Sequence, residues 1–157
     1  MPAMDVMEEG RMGMLQDPEG AIVGIWQPKK HQGFEYKEVH GSPCWFEHGS
    51  HDSSKSVPFL EKVFGWTSKS EKMGGNLYTS FFSGEEMVGG LYIFSPDMSS
   101  VPSHWLPYFT IDNIETAIEL TTKMGGSVLM PKMLVEGVGH FCVLRDPQGA
   151  VFGLVQG

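Results

Sequence analysis

The alternation of apolar and polar residues predicts two rounds of one strand, one helix and three strands between Pro43 and Gln156. The predicted strands are 44–47, 66–69, 77–82 and 86–94 in the first round, and 105–111, 128–134, 140–145 and 150–155 in the second. Each helix must cover one face of its four strands. We therefore predict an α+β fold of two βαβββ modules, 43–97 and 103–157, whose mixed sheet curves around a cavity.

The helices are predicted from apolar residues spaced three and four positions apart. The first should end near Gly65 and begin near 54–56, because Pro58 is tolerated in the first turn of a helix. Its apolar face should comprise Val57, Leu60, Val63 and Phe64. The second should begin at an N-cap Asp112, followed by Glu115 in a near capping box. Its apolar face should comprise Ile114, Ala117, Ile118 and Met124.

A segment near the start of the chain returns at its end. Gly10 to Gln27 reads GRMGMLQDPEGAIVGIWQ, and Gly139 to Gln156 reads GHFCVLRDPQGAVFGLVQ. The Asp-Pro-x-Gly in each copy suits a tight turn, so both copies are predicted to be hairpins. We interpret 1–30 as a hairpin remnant of a preceding module, 31–42 as a linker, and 43–157 as a complete domain.

A lone hairpin exposes an apolar face and unpaired edges, so the N-terminal hairpin must dock elsewhere. We expect it to add to a sheet edge of its own domain or of a second subunit, the latter giving a homodimer.

The formal charge of −8 argues against nucleic acid and anionic membranes as partners. No apolar run approaches the length of a membrane span, and acidic residues stand where a signal peptide carries basic ones. We therefore expect a cytoplasmic protein. Without a secretory context, Cys44 and Cys142 are expected to be reduced, small apolar residues.

Four motifs resemble the vicinal oxygen chelate superfamily, which includes glyoxalase I, bleomycin-resistance proteins and extradiol dioxygenases. They are FLEKVFGW at 59–66, WLPYFTIDN at 105–113, MGGSVLMP at 124–131 and RDPQGAVFGL at 145–154. The resemblance is closest to tandem-domain glyoxalase-like proteins. This scaffold carries many functions, so the resemblance alone does not decide between them.

The metalloenzymes of this superfamily hold a divalent ion with side chains from the first and last strands of each module. The resemblance puts the corresponding positions of this chain at Trp45, Leu106, Gly153 and the range 89–91, which reads GGL. None of these side chains is a metal ligand. We therefore expect no metal and no other cofactor.

The alternation of the strands also predicts which side chains line the cavity. Trp45, Glu47 and Gly49 should face inward from the first strand, whereas Cys44, Phe46 and His48 face the helix. Phe109 and Ile111 should pack under the second helix. The predicted ligand-binding residues are Trp45, Glu47, His104, Leu106, Tyr108, Thr110 and Gly153. Alternatively, Trp45 and Tyr108 simply fill the cavity and Glu47 reaches solvent.

The run EHGSH supplies possible metal ligands at Glu47, His48, His51 and Asp52. His48 and His51 lie an odd number of residues apart, so an extended strand projects them to opposite faces. We interpret the run as solvated polar residues at a strand end.

These residues favour a metal-independent protein that binds a mostly apolar organic ligand with one polar or cationic group. No catalytic residue is assigned. A second hypothesis is a metal-dependent lyase, isomerase or dioxygenase that uses Glu47, His48, His51 or His104 as ligands. A third is a subunit whose main role is association with another domain of the same fold.

Overall fold

The computed structural model describes residues 2–73 and 75–157, so residue 1 of the predicted hairpin segment lies outside the described residues. The strands are β1 Met4–Val6, β2 Gly10–Gln16, β3 Ile22–Pro28, β4 Pro43–Ser50, β5 Thr67–Met73, β6 Asn76–Ser83, β7 Glu86–Ile93, β8 His104–Thr110, β9 Ser127–Val135, β10 Gly139–Arg145 and β11 Val151–Gln156. The helices are α1 Ser53–Phe64 and α2 Ile114–Lys123, with a 3₁₀ turn at Pro96–Met98. The order confirms the α+β fold of two βαβββ modules with an additional N-terminal hairpin.

The chain divides into two compact units. The first comprises Met1–Phe34 and Glu47–Trp105, and the second comprises Glu35–Phe46 and Leu106–Gly157. Strands β4 and β8 each run from one unit into the other.

In the first unit, the end of β4 pairs in parallel with β7, and β7 and β5 each pair antiparallel with β6. Helix α1 covers one face through Leu60, which is fully buried against Phe81 and Leu91. Strand alternation places Phe81 and Leu91 on the helix side, so Ser80 and Gly90 belong to the opposite face.

In the second unit, β11 pairs in parallel with β8 and antiparallel with β10, which pairs with β9. The two faces of β11 carry different clusters. Phe152 and Leu154 pack with Ile114 of α2, whereas Val151 and Val155 pack with Leu106 and Tyr108. Phe109 and Ile111 also pack under α2, which confirms the predicted alternation of β8.

The helix boundaries and faces differ in detail from the sequence prediction. Helix α1 begins at Ser53, because Asp52 is its N-cap and accepts a hydrogen bond from the Ser54 N–H at 3.1 Å. The N-cap of α2 is Asn113 rather than Asp112, since the Asn113 Oδ1 accepts from the Thr116 N–H at 2.8 Å.

The prediction of the apolar helix faces is wrong at two positions. Val63 is 45% exposed and Met124, which follows the last turn of α2, is 69% exposed. The other six residues of the predicted apolar faces pack against the two cores.

The two hairpins form as predicted, with identical turns. The Asp17 Oδ1 accepts from the N–H groups of Glu19 and Ala21, and the Asp146 Oδ1 accepts from those of Gln148 and Ala150. Gly20 and Gly149 both adopt positive φ, at 94° and 98°, which glycine tolerates without strain. The strand registers also correspond, since Leu15 lies opposite Val23 as Leu144 lies opposite Phe152.

The N-terminal hairpin does not extend the sheet of its own domain, so that part of the docking prediction is wrong. Strand β1 joins it instead in a separate sheet of order β1-β2-β3. The hairpin contacts the rest of the first unit through its turn, where Asp17 and Glu19 bind β4 and α1. Docking on a second subunit stays a prediction.

Candidate functional site

In the first unit, the face of β4 opposite α1 presents a carboxylate next to a phenol. The Tyr78 Oη donates a hydrogen bond to the Glu47 Oε1 at 2.7 Å. Gly90 lies directly beside Glu47 in the pairing of β4 with β7. A Cβ at Gly90 would collide with the Tyr78 hydroxyl, so this glycine is what allows the tyrosine to reach the carboxylate. Glu47 and Tyr78 are both half-buried.

Two more aromatic rings lie on the same face. Tyr92 and Phe94 make an edge-to-face contact with ring centroids 5.3 Å apart. A Cβ at Gly49 would lie 2.5 Å from the Phe94 Cζ and 2.9 Å from the Tyr92 Oη, so this second glycine admits both rings. Burial, together with the negative charge of Glu47, raises the pKa of Tyr92 to about 12. The phenol of Tyr92 is thus a stable hydrogen-bond donor at neutral pH.

His104 completes this aromatic group. Its ring lies 5.7 Å from that of Phe94. The His104 Nδ1 lies 2.8 Å from the carbonyl oxygen of Pro102, which can only accept, so Nδ1 donates. His51 stacks obliquely on Phe94 with centroids 4.7 Å apart, and its Nε2 donates to the carbonyl of Val101 at 2.7 Å. We name Glu47, Tyr78, Tyr92, Phe94 and His104 the aromatic-carboxylate face.

Of the seven predicted binding residues, Glu47 and His104 lie in the first unit and the other five lie in the second. Leu106 and Tyr108 belong to a buried cluster in the second unit, and Trp45 packs against it. The Tyr108 ring lies over Gly153, where a Cβ would collide with it. Thr110 pairs through its backbone with Ser42 and Gly41. These contacts fit the alternative in which Trp45 and Tyr108 are packing residues.

Neither cysteine forms a disulfide. Burial raises the pKa of the Cys44 thiol and raises that of Cys142 to about 11, so both favour the unreactive thiol form. Cys44 was expected to face the helix, but it packs against the cluster of Leu106 and Tyr108. Its short side chain reaches the neighbouring strand, where Sγ donates to the Tyr108 carbonyl at 3.5 Å.

The helix-facing side of β4 carries buried polar groups, which corrects the prediction that His48 is solvated. His48 is fully buried, and its Nε2 lies 2.5 Å from the Asp17 Oδ2, whose side chain is also fully buried. The hairpin turn excludes water from this end of the strand. The ring of His48 also meets the Trp105 indole edge to face, with centroids 5.2 Å apart.

A second carboxylate of the same turn lies at the start of α1. The Glu19 Oε1 accepts from the N–H groups of His51 and Asp52, both at 2.8 Å. The Glu19 Oε2 accepts from the Ser50 hydroxyl and from the Ser56 hydroxyl. Burial acts to raise the pKa of Glu19, but these hydrogen bonds outweigh it and lower the pKa below the ordinary value.

The positions that the superfamily resemblance assigns to metal binding do not fit a metal. Trp45 and Leu106 are packing residues, and Gly153 lies beneath a tyrosine ring. Among residues 2–73 and 75–157, no group of three His, Cys, Asp or Glu side chains is placed to hold an ion. The Nε2 of His48 pairs with Asp17 and its buried Nδ1 has no hydrogen-bond partner, but no further potential ligands of the described residues converge with it.

A wide depression of about 810 Å³ lies in the second unit at the β9–β10 turn. It is lined by Leu134–Gly139 and Gly157, and none of the seven predicted residues contributes to it. Its lining carries a single titratable side chain, Glu136, so it lacks the convergent polar groups of a binding site.

With this geometry established, comparison with known proteins defines the family. The profile of the glyoxalase/bleomycin resistance protein/dioxygenase superfamily matches residues 48–154. The chain belongs to this superfamily.

The Mycobacterium tuberculosis protein CFP32 is 36% identical to this chain over 157 residues. Its name describes it provisionally as a glyoxylase, and the alignment covers 99% of this chain and 59% of CFP32. The Streptomyces peucetius anthracycline biosynthesis protein DnrV is 32% identical over 127 residues, covering 73% of this chain and 46% of the relative. The chain thus spans about half the length of these two relatives.

Solved structures of low identity share the fold. An extradiol ring-cleaving dioxygenase from B. fuscum aligns with a TM-score of 0.53 at 16% identity, over 76% of this chain and 33% of the dioxygenase. A superfamily member from Vibrio splendidus aligns with a TM-score of 0.51 at 12% identity, over 74% of this chain and 100% of the Vibrio chain. A methylmalonyl-CoA epimerase from M. tuberculosis aligns with a TM-score of 0.52 at 8% identity, over 80% of this chain and 93% of the epimerase chain.

Within the described part of the chain, no helix is long and apolar enough to cross a membrane.

Sequence reasoning overlooked two groups of residues. Tyr78, Tyr92 and Phe94 could have been found by extending the inward alternation from Gly90 along the paired strands. The roles of Asp17 and Glu19 depend on contacts with β4 and α1 that no local pattern reveals.

The packing of Tyr108 on Gly153 predicts unequal effects at two equivalent glycines. Gly153→Ala should cost about 1–3 kcal/mol of unfolding free energy, because the new methyl group displaces the buried ring. Gly24→Ala, at the same place in the first hairpin, should change stability by less than about 0.5 kcal/mol, since its nearest neighbour is the Met14 Sδ at 3.5 Å. Urea unfolding measures both. Equal losses would contradict this packing.

The charge of Glu47 predicts a shift in the titration of Tyr92. Glu47→Gln should lower the pKa of Tyr92 from about 12, although burial should keep it above the ordinary value. The control Glu85→Gln, in the exposed β6–β7 turn, should leave it unchanged. Carbon-13 NMR of labelled tyrosine, assigned with Tyr92→Phe, follows the titration. An unchanged pKa in Glu47→Gln would show that the two groups do not interact.

Proposed function

We propose that this chain is a metal-independent small-molecule-binding protein of the glyoxalase and bleomycin-resistance kind, and that the aromatic-carboxylate face holds an organic ligand. The observation that carries the proposal is the half-buried Glu47 carboxylate, which is held by the Tyr78 hydroxyl beside the rings of Tyr92 and Phe94. A carboxylate among aromatic rings favours a ligand with an apolar body and one cationic or hydrogen-bonding group.

The metal independence rests on the chemistry of the side chains. The positions that would hold an ion carry an indole, an aliphatic chain and glycine, and two of them are committed to packing. Superfamily membership alone leaves the activity open, because the fold is shared by a dioxygenase and an epimerase. The relative named for anthracycline biosynthesis supports an organic ligand.

We also propose that the protein acts in the cytoplasm and forms a homodimer. The free thiols of Cys44 and Cys142 support the first proposal, because the cytoplasm keeps thiols reduced. The second is supported by the apolar residues that the hairpin sheet exposes, which are Met4, Ile22, Ile25 and Trp26.

The proposal predicts that an aromatic amine binds without metal and depends on Glu47. Phenethylamine should bind to protein dialysed against EDTA, because its ring can stack on the aromatic residues while its ammonium group pairs with the carboxylate. Glu47→Gln should weaken binding about tenfold through loss of the charge-assisted hydrogen bond. Isothermal titration calorimetry measures both affinities.

Two controls accompany this experiment. Glu85→Gln should bind phenethylamine as the unaltered protein does, and phenethyl alcohol should bind both Glu47 forms alike, because it carries no charge. Binding that appears only after Ni²⁺, Zn²⁺, Fe²⁺ or Mn²⁺ is restored would contradict the proposal in favour of a metal-dependent lyase, isomerase or dioxygenase.

A further inference from the structure

Two histidine rings lie at one end of the aromatic-carboxylate face. Strand β4 carries Glu47 and Gly49 on this face, two residues or about 7 Å apart. The Phe94 ring lies over Gly49, where a Cβ would come within 2.5 Å of its Cζ. His51 and His104 contact this ring with centroids 4.7 Å and 5.7 Å from it. The face therefore has Glu47 at one end and two imidazoles beyond its aromatic centre.

Both imidazoles have a defined hydrogen-bonding polarity. The His104 Nδ1 lies 2.8 Å from the Pro102 carbonyl oxygen, and the His51 Nε2 lies 2.7 Å from that of Val101. A carbonyl oxygen only accepts, so each of these nitrogens carries a hydrogen, and in the neutral ring the other nitrogen is an acceptor. Among residues 2–73 and 75–157, no group donates to the His104 Nε2 or to the His51 Nδ1. Each ring thus offers one acceptor nitrogen to a ligand.

Of the two rings, that of His104 is the more effective anchor for a ligand. His104 opens strand β8 and is half-buried, whereas His51 follows the end of β4 and is exposed. Water satisfies an exposed acceptor as well as a ligand does, but a partly desolvated acceptor gains from a ligand that donates to it. The Nε2 of His104 therefore selects for a hydrogen-bond donor on the ligand.

We propose that the ligand of this face is a hydroxyaryl amine and that His104 determines this specificity. The ammonium group of the ligand pairs with Glu47, its ring lies on Tyr92 and Phe94, and its hydroxyl donates to the His104 Nε2. This specificity rests on the proposed function, because it takes Glu47 as the partner of the cationic group. At the opposite end of the face it fixes the direction of a second hydrogen bond, in which the ligand donates and the protein accepts.

A series of para-substituted phenethylamines tests the proposal on the full chain. Tyramine should bind about fivefold more tightly than 4-methylphenethylamine, because the two molecules are similar in size and only the hydroxyl of tyramine can donate to His104. 4-Methoxyphenethylamine, which can accept a hydrogen bond through its ether oxygen but cannot donate one, should bind no more tightly than the methyl compound. Isothermal titration calorimetry measures the three affinities.

Substitution of the histidines tests which residue is responsible. In His104→Phe, which keeps an aromatic ring but removes the acceptor, tyramine and 4-methylphenethylamine should bind alike. His51→Phe and the control His140→Phe, in the second unit, should retain the preference for tyramine. In the unaltered protein, nitrogen-15 NMR of labelled histidine should show the His104 Nε2 signal shifting more with tyramine than with 4-methylphenethylamine, so the test does not depend on the folding of a variant.

Three results would count against the proposal, and they are distinguishable. Equal affinities for tyramine and 4-methylphenethylamine, while phenethylamine still binds through Glu47, would overturn the hydroxyaryl amine and leave the proposed function in place. A tyramine preference that persists in folded His104→Phe, or one that is lost in His51→Phe alone, would overturn the role of His104. If none of these amines binds, the hydroxyaryl amine and the proposed function both fail.

Discussion

The two-residue period of strand β4 is the constraint on which the arrangement of the first unit depends. Because successive side chains of a strand point to opposite faces, β4 sends Glu47 and Gly49 to one side and His48 and Ser50 to the other. Glu47 meets Tyr78 and lies beside Tyr92, whereas His48 and Ser50 receive the carboxylates of the N-terminal hairpin. A slip of one residue would exchange these two chemistries, so the pairing of β4 with β7 determines both.

Glycine positions and burial determine which side chains each unit's sheet face presents and whether solvent reaches them. Gly90 allows the Tyr78 ring, and Gly49 allows the rings of Tyr92 and Phe94, to approach the strands closely on the face that carries Glu47. In the second unit Gly153 does the same for Tyr108, but there the ring belongs to a buried cluster. Similar backbone features thus produce a half-exposed polar face in one unit and packing in the other. The difference lies in the side chains, since Glu47 lies beside Tyr78 in the first unit, whereas Tyr108 packs with Leu106 and Val143 in the second.

Much of the fold could be predicted from local patterns. The repeated Asp-Pro-x-Gly turns, the order of strands and helices, and the two faces of β8 all follow from spacing and turn chemistry. One error arose where a tertiary contact overrides local preference, since His48 is polar yet buried because Asp17 satisfies its Nε2. Another was a local choice between neighbouring cap residues, since Asn113 rather than Asp112 accepts from the Thr116 N–H. Of the predicted site residues, Glu47 and His104 lie on a half-exposed face. For Tyr108, strand alternation shows which face the ring is on, but it does not distinguish a ligand-binding residue from a packing residue.

Metal analysis of the full chain, purified without chelators and measured by inductively coupled plasma mass spectrometry, tests the central claim most directly. The account predicts less than about 0.1 transition-metal ion per chain, because side chains that could converge on such an ion are replaced by packing residues. One Ni, Zn, Fe or Mn ion per chain that survives dialysis would contradict it.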